Sequence, residues 1–228
     1  MIIAVIPARG GSKRIKKKNI KLFLGRPIIS YSIKAAINSK IFDRVIVSTD
    51  CNKTMIVSKK YGAEILFQRP KSLSGDYVGT REVASHAARW LNKNISKPKF
   101  ICCLYPTAPL LNVSDLKKSY KIIKSNKWKY VFSASKFSYP IQRAFYLDKL
   151  KKVRMFNSKN FNRRSQDLKS AYHDAGQFYW GSYESWQSRT PIFGKESTFH
   201  LVPKLRVQDI DDLEDWKIAE KLYKINKK

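Results

Sequence analysis

Apolar positions fall along this chain in two alternating rhythms. Short unbroken runs alternate with stripes at helical spacing. The runs at 2–6, 44–48, 63–67, 100–105 and 130–135 predict strands buried on both faces. Between them, Ile29, Ile33, Ala36 and Ile37 form a helical stripe, with Pro27 suited to the first turn. A helix is expected over 52–61, closed by Gly62. Another is expected over 80–94, with Val83, Ala87, Trp90 and Leu91 on one face. A further helix, capped by Ser114 or Asp115, should run to about Ser125. The last helix should begin near Leu213 and turn Leu213, Trp216, Ala219 and Leu222 or Tyr223 inward.

Strand–helix alternation of this kind predicts a mainly parallel sheet with helices on both faces. It breaks after Lys136. Residues 137–172 carry many aromatics, lysines and arginines with no clean period and predict an inserted arm. The runs at 178–180 and 199–202 read as returning strands. The expected organisation is one α/β domain over 1–228 with an arm at about 137–172.

Composition narrows the function. Hydrophobic residues make up 43% of 228 residues, enough for a sizeable core. No run is long and apolar enough to span a bilayer, and no positively charged segment precedes the first run. Neither a membrane span nor a signal peptide is expected, so a cytoplasmic location is the default. The net charge of +29 invites a nucleic-acid reading. However, 33 lysines against 13 arginines are spread over the whole chain, and no nucleic-acid-binding motif is visible. Specific nucleic-acid binding is therefore not expected. Cys51, Cys102 and Cys103 lack metal-ligand spacing and read as buried, reduced thiols.

The first strand runs into Pro7-Ala8-Arg9-Gly10-Gly11-Ser12-Lys13. Two glycines permit close backbone approach, and successive N–H groups in such a turn can form an anion nest. Arg9, Lys13 and Lys18 add positive charge, and the end of the first strand is where open α/β sheets bind ligands. A triphosphate fits this combination; a plain tight turn with solvated lysines is the alternative. Near the other end lies Val207-Gln208-Asp209-Ile210-Asp211-Asp212. In extended chain Asp209 and Asp211 point the same way, as a hard divalent cation such as Mg²⁺ requires. The acids that follow suit a helix N-terminus instead. Ser48-Thr49-Asp50 is either a ligand-facing loop or a helix cap.

These motifs resemble a known family. Ala8-Arg9-Gly10-Gly11-Ser12-Lys13 with Lys18-Asn19 is similar to the N-terminal signature of the cytidylyltransferases that activate sialic-acid-type sugars. Asp209-Ile210-Asp211 is similar to that family's metal-binding Asp-x-Asp. The resemblance implies a Rossmann-like nucleotidyltransferase fold with a small dimerisation arm. It implies CTP contacts at Arg9, Gly10, Gly11, Ser12, Lys13, Asn19, Arg69 and Thr80. It also implies Mg²⁺ on Asp209 and Asp211 and counts Lys18 with them among the catalytic residues. Sialic-acid enzymes usually carry Gln where this chain has Tyr105 and Arg where it has Leu111, positions near the sugar.

The stretches around Gln142-Arg143, Arg163-Arg164-Ser165-Gln166 and His173-Asp174-Ala175-Gly176-Gln177 are similar to the pseudaminic acid branch of the family. Arg163 and Arg164 suit a sugar carboxylate. Tyr105, Gln166, Asp174 and Gln177 complete the candidate sugar site, the polar ones suiting hydroxyl and acetamido groups. His173 reads as a structural histidine. The expected reaction joins CTP and a nine-carbon 2-keto acid sugar into a CMP-sugar, on a homodimer whose arm reaches the neighbouring site. The alternatives are the same reaction on N-acetylneuraminic, legionaminic or 3-deoxy-octulosonic acid, or a nucleotide- or polyanion-binding protein without turnover.

Overall fold

The computed structural model describes residues 1–227. In chain order the elements are β1 (Ile2–Pro7), β2 (Leu22–Phe23), β3 (Arg26–Pro27), α1 (Ile29–Ser39), β4 (Arg44–Ser48), α2 (Asn52–Lys60) and α3 (Thr80–Asn94). They continue with β5 (Phe100–Leu104), α4 (Val113–Lys124), β6 (Tyr130–Lys136), β7 (Phe145–Leu147), β8 (Val153–Met155), β9 (Tyr172–Ser182), α5 (Tyr183–Gln187), β10 (Ser197–Leu201) and α6 (Leu213–Ile225).

A six-stranded sheet in the order β10-β6-β9-β5-β1-β4 forms the centre. β1 pairs in parallel with β4 on one side and β5 on the other. The chain turns out from β1 in both directions, which puts a switch-point crevice beyond the carboxyl ends of β1 and β5. β9 is the antiparallel member, lying between β5 and β6. The unbroken apolar runs follow from burial on both faces. Ala4, Ile6 and Cys102 join Ile29, Ile33 and Leu116 in one core, while Ile3, Val5 and Cys103 join Ala84, Ala87 and Leu91 in the other. The adjacent cysteines thus face opposite cores, and burial pushes the Cys103 thiol up to about 12.

Several elements differ from the sequence pattern. Pro27 is not in a helical turn. Leu24 and Gly25 both adopt positive φ (46° and 81°), the signature of a two-residue hairpin turn, and pair Leu22 with Pro27 before α1 begins. Ile37 is exposed, off the α1 stripe. The strand expected over 63–67 shrinks to one bridge, Ile46 to Glu64, because the chain leaves the sheet edge after Gly62 turns at φ 94°. Asn112 caps α4 by accepting from Ser114 N–H, so neither expected cap is used. Leu213 is exposed at the start of α6, while Trp216 and Ala219 are buried. β9 is far longer than 178–180. Its length was hidden by a bulge: Gly176 sits at φ 61°, and the Ser133 hydroxyl accepts from both Gln177 and Phe178 N–H at 3.2 Å.

Candidate active site

The N-terminal loop is shaped by apolar anchoring at one point and polar stapling at others. Ile15 is buried with Phe23, Ile28, Ile210, Trp216 and Ala219 in a small separate core. That core clasps the loop after β1 to the segment before α6. Ile210 is fully buried, so its extended-chain neighbours Asp209 and Asp211 face away from the core. Lys17 adopts a left-handed backbone (φ 54°) and turns the chain so that Lys18 comes back over this segment. The Lys18 Nζ donates to Ile210 O at 2.6 Å and lies 3.9 Å from Asp211 Oδ1. Burial lowers the Lys18 pKa, partly opposed by the charges of Asp211 and Asp209.

At the switch point these loops open a cleft of about 390 Å³. Arg9, Ser12, Lys13, Lys18, Asn19, Arg69, Thr80 and Tyr105 all line it, so the structure brings together most of the residues expected to meet CTP. Arg9 and Lys13 converge on one anion, the Asp76 carboxylate, each at 2.5 Å. Hydrogen bonds from Lys13 and Arg9 hold Asp76 below the usual carboxylate range. The other residues of this group have more structural roles than the sequence suggested. Asn19 Nδ2 donates to Arg9 O (2.9 Å) and holds the loop. Arg69 is buried, spends two guanidinium donors on Ser48 and is lowered by burial to about 10.

The glycines divide their work. Gly10 N–H donates to Asp50 Oδ1 (2.8 Å), and a Cβ there would lie 2.9 Å from the Cys51 Cβ. Gly10 therefore serves close packing, and its N–H is not aimed at the cleft. Gly11 is exposed and open on all sides. Asp50, from the Ser48-Thr49-Asp50 stretch, braces the loop instead of capping α2.

Asp212 and Asp215 form the capping box of α6, which accounts for the acids that follow Asp211. The Asp209 and Asp211 carboxylates stay out of that cap, while the Asp211 N–H donates to Asp215 Oδ2 at 3.0 Å. Arg14 meets Asp211 at 2.7 Å. The Asp209 pKa is raised, first by protein crowding around its carboxyl and then by the Asp211 charge, although the residue reaches solvent. Two mutually repelling carboxylates in a strand-like segment fit a hard divalent cation. No set of three His, Cys, Asp or Glu among the described residues is placed to hold a metal alone, so phosphate oxygens and water would complete such a site.

The sugar-side residues separate. Tyr105 lines the cleft, with its hydroxyl 3.0 Å from Thr80 Oγ1. Asp174 is exposed on β9 and accepts from Gly176 N–H (2.9 Å) and from the Tyr179 hydroxyl. Gln177 does not face the cleft. It is buried, and its Nε2 donates to Arg206 O (2.5 Å), bracing the chain ahead of Asp209. Arg163, Arg164 and Gln166 are exposed and line no part of the cleft of their own chain. His173 Nδ1 meets the Asp174 carbonyl (2.9 Å). Sequence reasoning gave no individual role to Asp76, a lone acid in a basic loop, or to Tyr179, hidden in an apolar run. It offered Asp115, as the alternative to Ser114, for a cap; in fact Asp115 is buried and bonded to His200 (2.9 Å) and Arg206.

An open α/β sheet whose switch point sets converging cations against a carboxylate pair is the arrangement of a nucleotidyltransferase. Comparison with known proteins refines the class. The family model for cytidylyltransferases matches residues 3–226, and the chain belongs to that family. It is 47% identical over 224 residues to a pseudaminic acid cytidylyltransferase of Campylobacter jejuni, covering 98% of this chain and 97% of that one. It is 28% identical to an N-acylneuraminate cytidylyltransferase of Escherichia coli, covering 96% of this chain and 51% of the other. Among solved structures, CMP:2-keto-3-deoxy-manno-octonic acid synthetase complexed with CTP shares the fold at a TM-score of 0.71, with 14% identity and 99% of each chain covered.

Proposed function

We propose that this cytidylyltransferase activates a nonulosonic acid, pseudaminic acid, with CTP. The anomeric hydroxyl oxygen attacks the α-phosphorus, the α–β phosphoanhydride bond breaks, and CMP-sugar and pyrophosphate leave, with the hydroxyl proton passing to solvent. The observation that carries the reading is the Lys18–Ile210 hydrogen bond, which holds a half-buried ammonium between the cationic loop and Asp209–Asp211. Arg9 and Lys13, already gathered on one carboxylate, neutralise the triphosphate. Thr80 and Arg69 flank the nucleoside. Catalysis is then positioning and charge neutralisation, with no covalent enzyme intermediate.

Asp209 and Asp211 are the residues that would hold Mg²⁺. Bound there, the ion supplies charge for the phosphate oxygens and lowers the pKa of the attacking hydroxyl. The choice of pseudaminic acid rests on the full-length similarity to the Campylobacter enzyme and on Tyr105 at a position where sialic-acid enzymes carry Gln.

The remaining sugar contacts are assigned to the arm. Arg163, Arg164 and Gln166 lie outside their own cleft, and the arm exposes Phe145, Leu147, Phe156 and Phe161. An apolar hollow of about 980 Å³, lined by Phe137, Tyr139, Pro140, Ile141 and Phe145, sits at its base. Exposed apolar area of this kind suits an interface. The reading is a homodimer in which each arm closes the partner's sugar pocket. The described residues contain no helix long and apolar enough to cross a membrane, and the location proposed is the cytoplasm.

Pyrophosphate release from CTP and Mg²⁺ with a panel of pseudaminic, legionaminic, N-acetylneuraminic and deoxyoctulosonic acids tests the reading. Turnover with pseudaminic acid is expected to dominate. Preference for another sugar overturns the substrate, and turnover with none overturns the activity.

A further inference from the structure

Two cations meet the Asp211 carboxylate, and they are held very differently. Both approach one oxygen: Arg14 Nη2 lies 2.7 Å from Asp211 Oδ1, and Lys18 Nζ lies 3.9 Å from it. Lys18 is fixed, with its side chain 20% exposed and its ammonium donating to Ile210 O at 2.6 Å. The Arg14 side chain is 66% exposed, and this is its one ion pair among the described residues. Its backbone is anchored, because Ile15 beside it is buried in the small core that also holds Ile210. The guanidinium therefore moves on a short, anchored tether between the cleft, which Arg14 lines, and the aspartate segment. Its neighbour Lys13 pairs with a different carboxylate, Asp76, at 2.5 Å.

An exposed arginine–aspartate pair adds little to folding. Its consequence is competition. A hard divalent cation needs the carboxylate oxygen that the guanidinium occupies. The planar fork of arginine also suits phosphate oxygens, which it can take two at a time. The same side chain thus has two anions within its chemistry, one on the protein and one on a triphosphate in the cleft.

We propose, on the reading of Asp209 and Asp211 as the residues that hold the metal, that Arg14 is an internal competitor for that site. It occupies Asp211 until a divalent cation displaces it, and it then pairs with the triphosphate. Metal and nucleotide favour one another's binding in this way, because each takes one half of the same ion pair. An exposed pair formed about two times in three leaves Asp211 free in about one molecule in three, so Arg14 weakens metal binding about threefold.

Mn²⁺ titration followed by electron paramagnetic resonance reads the competition without nucleotide and without turnover. Arg14→Ala should bind Mn²⁺ about threefold more tightly than the wild type at low salt, and the gain should shrink as salt rises, because both side chains reach solvent. Lys16→Ala removes the same charge from an exposed position in the same loop and should change Mn²⁺ binding far less. Arg14→Ala added to Asp211→Asn should give no further gain, since the competition is for that carboxylate. With Mg²⁺ saturating, Arg14→Ala should raise the CTP KM about threefold and leave the sugar KM within about twofold. Mn²⁺ binding by Arg14→Ala no tighter than that of the wild type, or a gain matched by Lys16→Ala, overturns the competition. An unchanged CTP KM overturns the passage of Arg14 to the triphosphate. If Asp209→Asn and Asp211→Asn together leave Mn²⁺ binding as in the wild type, the metal assignment fails instead.

Discussion

The Lys18 ammonium donates to the Ile210 carbonyl across 2.6 Å, joining residues 192 positions apart. Beneath it, Ile15 and Ile210 share one small apolar core. The polar latch and the apolar clasp act on the same two loops, so the spacing between the cationic loop and the aspartate pair is set by the fold. Preorganised charge of this kind needs no rearrangement as the phosphate charge develops.

Lys18→Ala should therefore cost about 2–4 kcal/mol of transition-state stabilisation, read as a fall in kcat/KM. Lys16, exposed in the same loop, is the control, and Lys16→Ala should do little. Equal losses from the two would point to bulk charge. Burial lowers the Lys18 pKa below 10.5, so activity that needs the ammonium should fall on the alkaline side before an ordinary lysine titrates. Lys18→Ala should remove that alkaline limb.

Asp209→Asn and Asp211→Asn should each abolish turnover and leave the fold intact, because each removes a charged oxygen from the proposed hard-cation site. The two need not be alike in stability. The Asp209 pKa is raised above 3.8, so its ionised form opposes folding once pH exceeds the raised value. At neutral pH Asp209→Asn should melt no lower than the wild type. Chelation should silence the wild type, and added Mg²⁺ should restore it. Activity retained in both variants would refute the metal assignment.

Asp76 holds Arg9 and Lys13 where a triphosphate would take them, so carboxylate and CTP compete for the same cations. Asp76→Asn should lower the CTP KM, with the larger change at low salt, because these side chains are solvent-exposed and screened. Isothermal titration with CTP over a range of salt concentrations measures it. Weaker CTP binding in the variant would mean that Asp76 organises the cations instead of competing for them.

The alternation of elements was readable because every strand of the parallel half is buried on both faces, and the same runs marked β1, β4 and β5. Of β9 only residues 178–180 were, since Gly176 interrupts its period and its core partners lie on β5 and β6, remote in sequence. At the site, the spacing of Asp209 and Asp211 foretold a pair turned to one side of a buried Ile210. Gln177 looked equally polar but turned inward, because Arg206 O, a group no local pattern reveals, accepts its amide. Asp115 suited a cap by type, yet Asn112 took the cap and left Asp115 to His200 and Arg206.

That buried carboxylate predicts a stability defect. Burial alone would raise the Asp115 pKa, but the hydrogen bonds from His200 and Arg206 outweigh it and hold the group below 3.8. The stability it supplies is present above 3.8 and is lost as pH falls through the depressed value. Asp115→Ala strands Arg206 and should destabilise by about 3–5 kcal/mol at neutral pH, the range for breaking a buried ion pair. The difference from the wild type should shrink in acid. Denaturant melts at pH 7 and in acid check both statements, and a pH-independent difference would assign the loss to packing.

The arm carries the last prediction. Phe145, Leu147, Phe156 and Phe161 lie exposed on it, and Arg164 donates to Asp167, at 2.8 Å, within the arm itself. Apolar residues held out on a two-stranded ribbon gain burial only from another surface. Light scattering should report a homodimer at micromolar concentration, and a monomer would refute the interface. If the arm closes the partner's sugar pocket, Arg164→Ala should raise the sugar KM more than the CTP KM, because the triphosphate cations Arg9, Lys13 and Lys18 sit in the cleft of their own chain. Loss of a carboxylate partner for an arginine is a charged hydrogen-bond loss, so the sugar KM should rise roughly tenfold or more. Steady-state titration of each substrate decides. A defect confined to CTP would place Arg164 on the nucleotide and the sugar pocket elsewhere.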